Sequence, residues 1–214
     1  MPRQPCQLEA ARSPSAAERY APGRLWIRGG RRLHGIVPVA GAKNAALPIM
    51  AATILADEPI RLRRVPCLAD VETLSSVLRR LGVAVQRRDD GSLSIETVDP
   101  RSFHTGYAHV RRMRASFCVL GPLLARRRRA VVSLPGGCRI GPRPVDLHLK
   151  GLAALGADLR IEQGNVVARA SRLHGARIDL AGPSGSTVTG TANVMSAAVL
   201  ARGDTTITSA AVEP

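Results

Sequence analysis

Three stretches of this chain share one layout, and that repetition limits the fold more than any other feature. "MAATILADEPIRLRRVP" ends at Pro66, "VLGPLLARRRRAVVSLP" at Pro135 and "MSAAVLARGDTTITSAA" at Ala211. Each is an Ala/Leu-rich helical segment that closes on Leu-Ala, at Leu55-Ala56, Leu124-Ala125 and Leu200-Ala201. A short polar turn follows, then a β-prone run. A period of roughly 70 residues is an architectural statement, because each repeat is one supersecondary unit that buries its apolar face against its neighbours.

A second pattern recurs between these anchors. "VETLSSVLRRLGVAVQRR" and "VDLHLKGLAALGADLRIE" both predict an amphipathic helix. In the first, Leu74, Val77, Leu78 and Leu81 stand at i, i+3, i+4 and i+7. Gly82 and Gly156 are helix stops. Strands are expected at Val83 to Gln86 and Asp158 to Glu162, and each is followed by a polar turn and another strand, in "DDGSLSIET" and "EQGNVVARA". The unit is therefore helix, strand, helix, strand, strand. The segment Ala45 to Ala56 is apolar nearly all round and is expected to be buried. The amphipathic helices are expected outside it, with strands between. The fold class is α/β, with similar units around buried helices. The third unit starts near Gly190 and stops at Pro214, short of its second helix, so the chain reads as truncated.

Composition narrows the class. With 45% hydrophobic and 22% charged residues the chain fits a globular protein. Aromatics are only 2%, so the core must be aliphatic. Cys6, Cys67, Cys118 and Cys138 form no Cys-x-x-Cys pair, which suggests neither a zinc site nor a disulfide framework, and a reducing, cytoplasmic setting. No metal or cofactor is implied. The apolar run Ala45 to Ala56 falls short of the roughly 20 residues needed to span a bilayer. Residues 1–23 lack the apolar centre of a signal peptide and read as a disordered extension.

The net charge of +15 and the run Arg126 to Arg129 invite anionic partners, whether nucleic acid, a membrane surface or phosphorylated small molecules. Scarce aromatics argue against single-strand nucleic acid, which is bound through stacking platforms. The plainer account of the run is a solvated basic face.

Four stretches are candidates for chemistry. In "LPGGCRIGPRPVDLHL", Cys138 follows the Gly136-Gly137 pair and lies near Arg139 and Arg143. Positive charge favours a thiolate, the setting of a reactive cysteine; the alternative is an inert thiol in a tight turn. Further along, Arg143, Asp146 and His148 sit on a proline-stiffened loop, either as a binding set or as a surface ion pair and helix start. In "GAKNAALPI", Lys43 and Asn44 precede an apolar helix, where backbone N–H groups and the helix dipole favour an anion; the alternative is that Asn44 only caps the helix. Arg111, Arg112 and Arg114 edge the second such helix, and Thr189, Gly190, Thr191 and Asn193 edge the third. Three such N-termini could converge on one anionic ligand.

Taken in order, "GAKNAALPI", "MRAS", "LPGGCRIGPRPVDLH" and "TVTGTANVMSAAVLARG" resemble the UDP-N-acetylglucosamine 1-carboxyvinyltransferases, over about Arg24 to Pro214. The Gly-Gly-Cys loop with its Arg-Pro-Val-Asp-Leu-His tail is the most specific part. The resemblance implies an inside-out α/β barrel of repeated helix-strand units, in two domains with the site between them. It implies that 24–42 holds strands belonging with the second domain. It makes 43–214 the first domain with an incomplete third repeat, inactive on its own. The implied activity is transfer of the enolpyruvyl group of phosphoenolpyruvate to the 3-hydroxyl of UDP-N-acetylglucosamine, in bacterial cell-wall synthesis. Carried over by match, Cys138 would be the general acid, and Lys43 and Asn44 would hold phosphoenolpyruvate. Arg114, Arg143, Pro144, Val145, Asp146 and Leu147 would contact the sugar nucleotide, with Gly185, Ser186, Thr187 and Val188 near its diphosphate. Two rival readings are a sugar-nucleotide-binding paralogue without chemistry and a basic nucleic-acid-binding protein on the same scaffold.

Overall fold

The computed structural model describes residues 30, 32, 34–37, 39–105, 113–135, 145–183 and 185–212. The chain divides into two units, Met1–Ala40 and Gly41–Pro214. In the first, the few described residues form no strand; the rest of the expected strand region and of the 1–23 extension lie outside the described residues.

The second unit carries the repeat. Its first copy runs α1 (Lys43–Ala52), a 3-10 turn (Thr53–Leu55), β1 (Ile60–Leu62), α2 (Ala69–Arg80), β2 (Val83–Arg87) and β3 (Leu93–Thr97). The second runs from a 3-10 turn (Arg114–Val119) through α3 (Leu120–Arg127), β4 (Arg129–Ser133), α4 (Asp146–Ala154), β5 (Asp158–Glu162) and β6 (Asn165–Arg169). The third begins with β7 (Arg177–Asp179), α5 (Val188–Ala198) and β8 (Thr206–Thr208). The two complete sheets have the same order, β1-β3-β2 and β4-β6-β5, with each third strand antiparallel between the other two. Side chains alternate across them. Val83 and Val85 of β2, Leu93 and Ile95 of β3, Ala130 and Val132 of β4, and Val166 and Ala168 of β6 all face the core.

One element of the repeat is not visible in the hydropathy pattern. β7 pairs in parallel with β8 across α5. In the second copy, Phe103 to Thr105 runs parallel to β4, with Thr105 N–H donating to Val131 O at 2.9 Å and Val131 N–H donating to Phe103 O at 2.8 Å. α3 and α5 are thus each the crossover of a β-α-β unit. The leading strand is three residues long, too short for alternation to reveal.

Local sequence explains the helices. In α2, Val71, Leu74, Val77 and Leu78 form one face at 0–1% exposure, each burial contributing about 1.5–3 kcal/mol. Asp70 and Glu72 lie in its first turn and Arg79 and Arg80 in its last, complementing the helix dipole. Gly82 ends the segment at φ +74°, and a Cβ there would run into the backbone of Asp99.

The expectation of helices buried on every side holds for α3, where Leu120 to Leu124 are all buried, but not for its two counterparts. In α1, Ala46, Leu47, Met50 and Ala51 are buried while Ile49 is 50% exposed. In α5, Val194 and Ala197 are buried, while Val188, Met195 and the following Val199 are exposed. The reason is position. α3 packs against α5, the Thr53–Leu55 turn and β4, whereas α1 and α5 each keep one open side.

α5 approaches its neighbours through glycines. A Cβ on Gly121 of α3 would meet the backbone carbonyl of Asn193, and one on Gly151 of α4 would meet the side chain of Val194. Gly121→Ala is expected to lower the unfolding free energy by ~1–3 kcal/mol, read as a lower urea midpoint with an unchanged slope. An unchanged midpoint would mean that the two helices yield freely.

Asp90 gives the fold an acid-sensitive turn. Its carboxylate accepts from the Ser92 hydroxyl at 2.6 Å, the Ser92 amide at 3.0 Å and Arg61 at 2.6 Å. These bonds lower its pKa from 3.8 to about 2. The folded value lies below the unfolded one, so the stabilisation is complete above the unfolded pKa and is lost as pH falls through the folded one. Asp90→Asn is expected to flatten the stability–pH curve between pH 3.8 and about 2, measured by denaturant unfolding.

Candidate functional site

Lys43 is the first residue of α1, whose N-cap is Ala42 with no side-chain cap. Asn44 therefore does not cap the helix; it is the second helical residue and is exposed. The first turn contains no acidic residue, so its N–H groups and dipole present positive potential. Lys43 Nζ lies 2.8 Å from Asp70 of α2, both side chains being about 40% exposed. The ammonium is thus held at the end of α1 by a carboxylate that an anion would compete with.

Arg114 opens the 3-10 turn that leads into α3. Cys138, Arg143 and Pro144, together with Arg111, Arg112, Gly136, Gly137 and Arg139, lie outside the described residues. The loop re-enters at Val145, the N-cap of α4, followed by Asp146 as its first residue. Asp146 is exposed and Leu147 half-buried.

Gly185 to Val188 lead into α5. Gly182 and Gly185 exchange backbone hydrogen bonds at 3.2 and 3.0 Å, closing a tight turn with Gly185 at φ +90°. The Thr187 hydroxyl caps α5 by accepting from Gly190 N–H at 3.1 Å. A Cβ on Gly182 would stand 2.8 Å from Leu147 Cδ1. The structure thus brings together two groups that the sequence leaves far apart, Val145–Leu147 and the turn before Thr187.

A buried network holds this end of the molecule. Asn193, fully buried, accepts from Gly121 N–H at 2.5 Å. Its amide nitrogen donates to Phe117 O at 3.1 Å and lies 3.1 Å from His148 Nδ1. His148 is 1% exposed, and its Nε2 lies 3.2 Å from Thr189 Oγ1. The Phe117 ring meets the imidazole edge-on, with centroids 5.2 Å apart. The third residue of α4, the second of α5 and the 3-10 turn after Arg114 therefore share one layer, and α1 packs on that same turn. Of the N-terminal ends expected to converge, the start of α5 and the turn leading into α3 share this layer with the start of α4. Asn193 is corrected from a residue edging a helix N-terminus to one buried well inside α5. Sequence reasoning missed the role of Phe117, because only the folded chain sets that ring beside His148.

The arginine run is not a uniform solvated face. Arg126 pairs with Asp57. Arg127 is half-buried, which lowers its pKa, and it donates to Leu81 O at 2.7 Å and to Ser102 O. Arg129 stacks over Phe103 at 3.9 Å. Of the cysteines, Cys67 is exposed and Cys118 buried. Among the described residues no group of three or more His, Cys, Asp or Glu could hold a metal, and no helix is long and apolar enough to cross a membrane.

Asp70→Asn is expected to change stability by less than ~1 kcal/mol, because the Lys43–Asp70 pair is partly solvated. A larger loss in denaturant unfolding would make that pair a structural element rather than a competed one.

Comparison with known proteins agrees with this architecture. The chain is 50% identical over 194 residues to the UDP-N-acetylglucosamine 1-carboxyvinyltransferase of Akkermansia muciniphila, covering 89% of this chain and 45% of that protein. It is 50% identical over 191 residues to the protein of the same name from Halorhodospira halophila, with the same coverages. The chain thus spans about half the length of the curated relatives it matches. Among solved structures, the enolpyruvyl transferase NikO from Streptomyces tendae superposes with a TM-score of 0.68 at 22% identity, over 85% of this chain and 42% of that one. EPSP synthase from Acinetobacter baumannii superposes with a TM-score of 0.62 at 19% identity, over 81% and 40%. These two likenesses are of fold. Residues 27–214 match the EPSP synthase (3-phosphoshikimate 1-carboxyvinyltransferase) family, and on that match the chain belongs to the EPSP synthase family, with the fold of the enolpyruvyl transferases.

Proposed function

We propose that this chain forms part of an enzyme that transfers the enolpyruvyl group of phosphoenolpyruvate to the 3-hydroxyl of UDP-N-acetylglucosamine, with release of phosphate. That reaction commits a sugar nucleotide to peptidoglycan and hence to cell-wall synthesis in the cytoplasm. The observation that carries the reading is the 50% identity to relatives of that name along 89% of the chain. It is supported by the Gly-Gly-Cys loop and the Arg-Pro-Val-Asp-Leu-His tail.

The chemistry explains why such residues are needed. The sugar hydroxyl adds to the phosphate-bearing carbon of the enol as the neighbouring carbon takes up a proton. Loss of phosphate, and of a proton from that same carbon, then restores the double bond. A positioned acid must deliver the first proton, and Cys138 is assigned that role. Lys43, Asn44 and the first turn of α1 would hold the phosphate of phosphoenolpyruvate, where cationic charge and backbone N–H groups offset developing negative charge. Arg114, Arg143, Pro144, Val145, Asp146 and Leu147 would seat the sugar nucleotide, and Gly185, Ser186, Thr187 and Val188 its diphosphate. The clustering of Leu147 with the Gly182–Gly185 turn supports that grouping.

The test uses the gene product read to its natural stop codon, assayed for phosphate release from the two substrates. Cys138→Ser is expected to lower turnover by at least ~10²-fold, the contribution of a general acid, with UDP-N-acetylglucosamine still bound. Unchanged turnover would remove the acid role. Binding without turnover in the unsubstituted protein would favour a regulatory paralogue.

A further inference from the structure

The buried network has a polarity that hydrogen-bond chemistry determines. Asn193 Oδ1 accepts from a backbone N–H, so its other amide atom is the nitrogen, a donor to both Phe117 O and His148 Nδ1. His148 Nδ1 must then carry a lone pair. In a neutral imidazole the proton sits on the other nitrogen, so Nε2–H donates to Thr189 Oγ1. The oxygen of Thr189 is thereby used as an acceptor, and its own proton has no acceptor among the described residues.

We infer that Asn193, acting through His148, presets the Thr189 hydroxyl as a hydrogen-bond donor to an anionic oxygen of the ligand at the start of α5. Asn193 and His148 are positioning residues, and Thr189 is the contact. The inference rests on the proposed sugar-nucleotide reading, which puts a diphosphate beside Gly185 to Val188. The reason for the arrangement is discrimination. A hydroxyl held by a neighbouring N–H donor cannot turn its proton inward, so it favours a ligand that accepts and disfavours one that donates. Replacing the Asn193 amide by a carboxylate would invert the chain. The carboxylate would accept from Nδ1–H, Nε2 would become an acceptor, and the Thr189 proton would turn toward the ring.

Two measurements on the gene product read to its stop codon decide this. The ¹⁵N shifts of His148 report which nitrogen is protonated. The expected tautomer is Nε2–H, changing to Nδ1–H in Asn193→Asp; an Nδ1–H tautomer in the unsubstituted protein overturns the inference. Calorimetric titration with UDP-N-acetylglucosamine then tests the contact. Thr189→Val is expected to weaken binding about 10-fold, corresponding to the loss of one hydrogen bond to a charged group, and Thr189→Ser to restore it. Asn193→Asp is expected to weaken binding similarly, and the double variant Asn193→Asp/Thr189→Val to bind no worse than either single one, since both remove the same donor. Additive losses would assign Asn193 a merely structural role and overturn the relay. Undiminished binding by Thr189→Val would overturn the contact alone. Failure of the unsubstituted protein to bind would overturn the sugar-nucleotide reading together with the contact. Should Asn193→Asp not fold, the unsubstituted spectrum and the Thr189 pair still decide the outcome.

Discussion

The close seating of α5 against α3 and α4 is the constraint on which the described domain turns. Gly121 lets α3 meet the backbone of α5 at Asn193, and Gly151 lets α4 meet Val194. At that contact a single buried amide bonds the second residue of α3, the carbonyl of Phe117 and the imidazole of His148. An unsatisfied buried polar group costs roughly 1–3 kcal/mol, so the amide is stable only while all three neighbours stay in place. The apolar cluster would tolerate helices sliding by part of a turn, but directional bonds between three chain segments would not. Packing supplies most of the stability, and this network supplies the register.

That register matters because of what it aligns. The segments joined by Asn193 and His148 are the ones that begin with Arg114, Asp146 and Val188. Helix starts carry unsatisfied N–H groups and positive potential, and several of them side by side form a surface suited to phosphate groups. Lys43 adds a point charge at the start of α1, restrained by Asp70. The β-α-β crossovers of the second and third copies explain why the starts of α3 and α5 align, since each crossover returns its buried helix in the same direction.

Much of this was legible in the chain. The Leu-Ala anchors, the heptad-like spacing from Leu74 to Leu81 and the stops at Gly82 and Gly156 identify the helices, because periodicity and glycine act locally. Strands β2, β3, β5 and β6 lie where alternation and polar turns put them. The leading strands of the crossovers were not legible: Phe103 to Thr105 and Arg177 to Asp179 are too short to show a period, and their pairing partners stand some 26 to 29 residues away (Thr105 with Val131, Asp179 with Thr208). For the candidate site, the motifs marked Lys43, Asn44, Asp146 and Thr189 as residues at helix starts, but they misplaced His148, read as part of a surface loop, and Asn193, since both are buried.

By itself, the sequence determined the repeat, the fold class and the family, through local periodicity and motif order, which survive without knowledge of contacts. Only the tertiary structure decided which helices are enclosed, that Arg127 clamps carbonyls of Leu81 and Ser102 rather than facing water, and that Asn193 is the interior partner of His148. These are properties of burial and of pairing between residues distant in the chain. A side chain's polarity tells where it prefers to be, but the partner it finds there is set by the packing of every other segment.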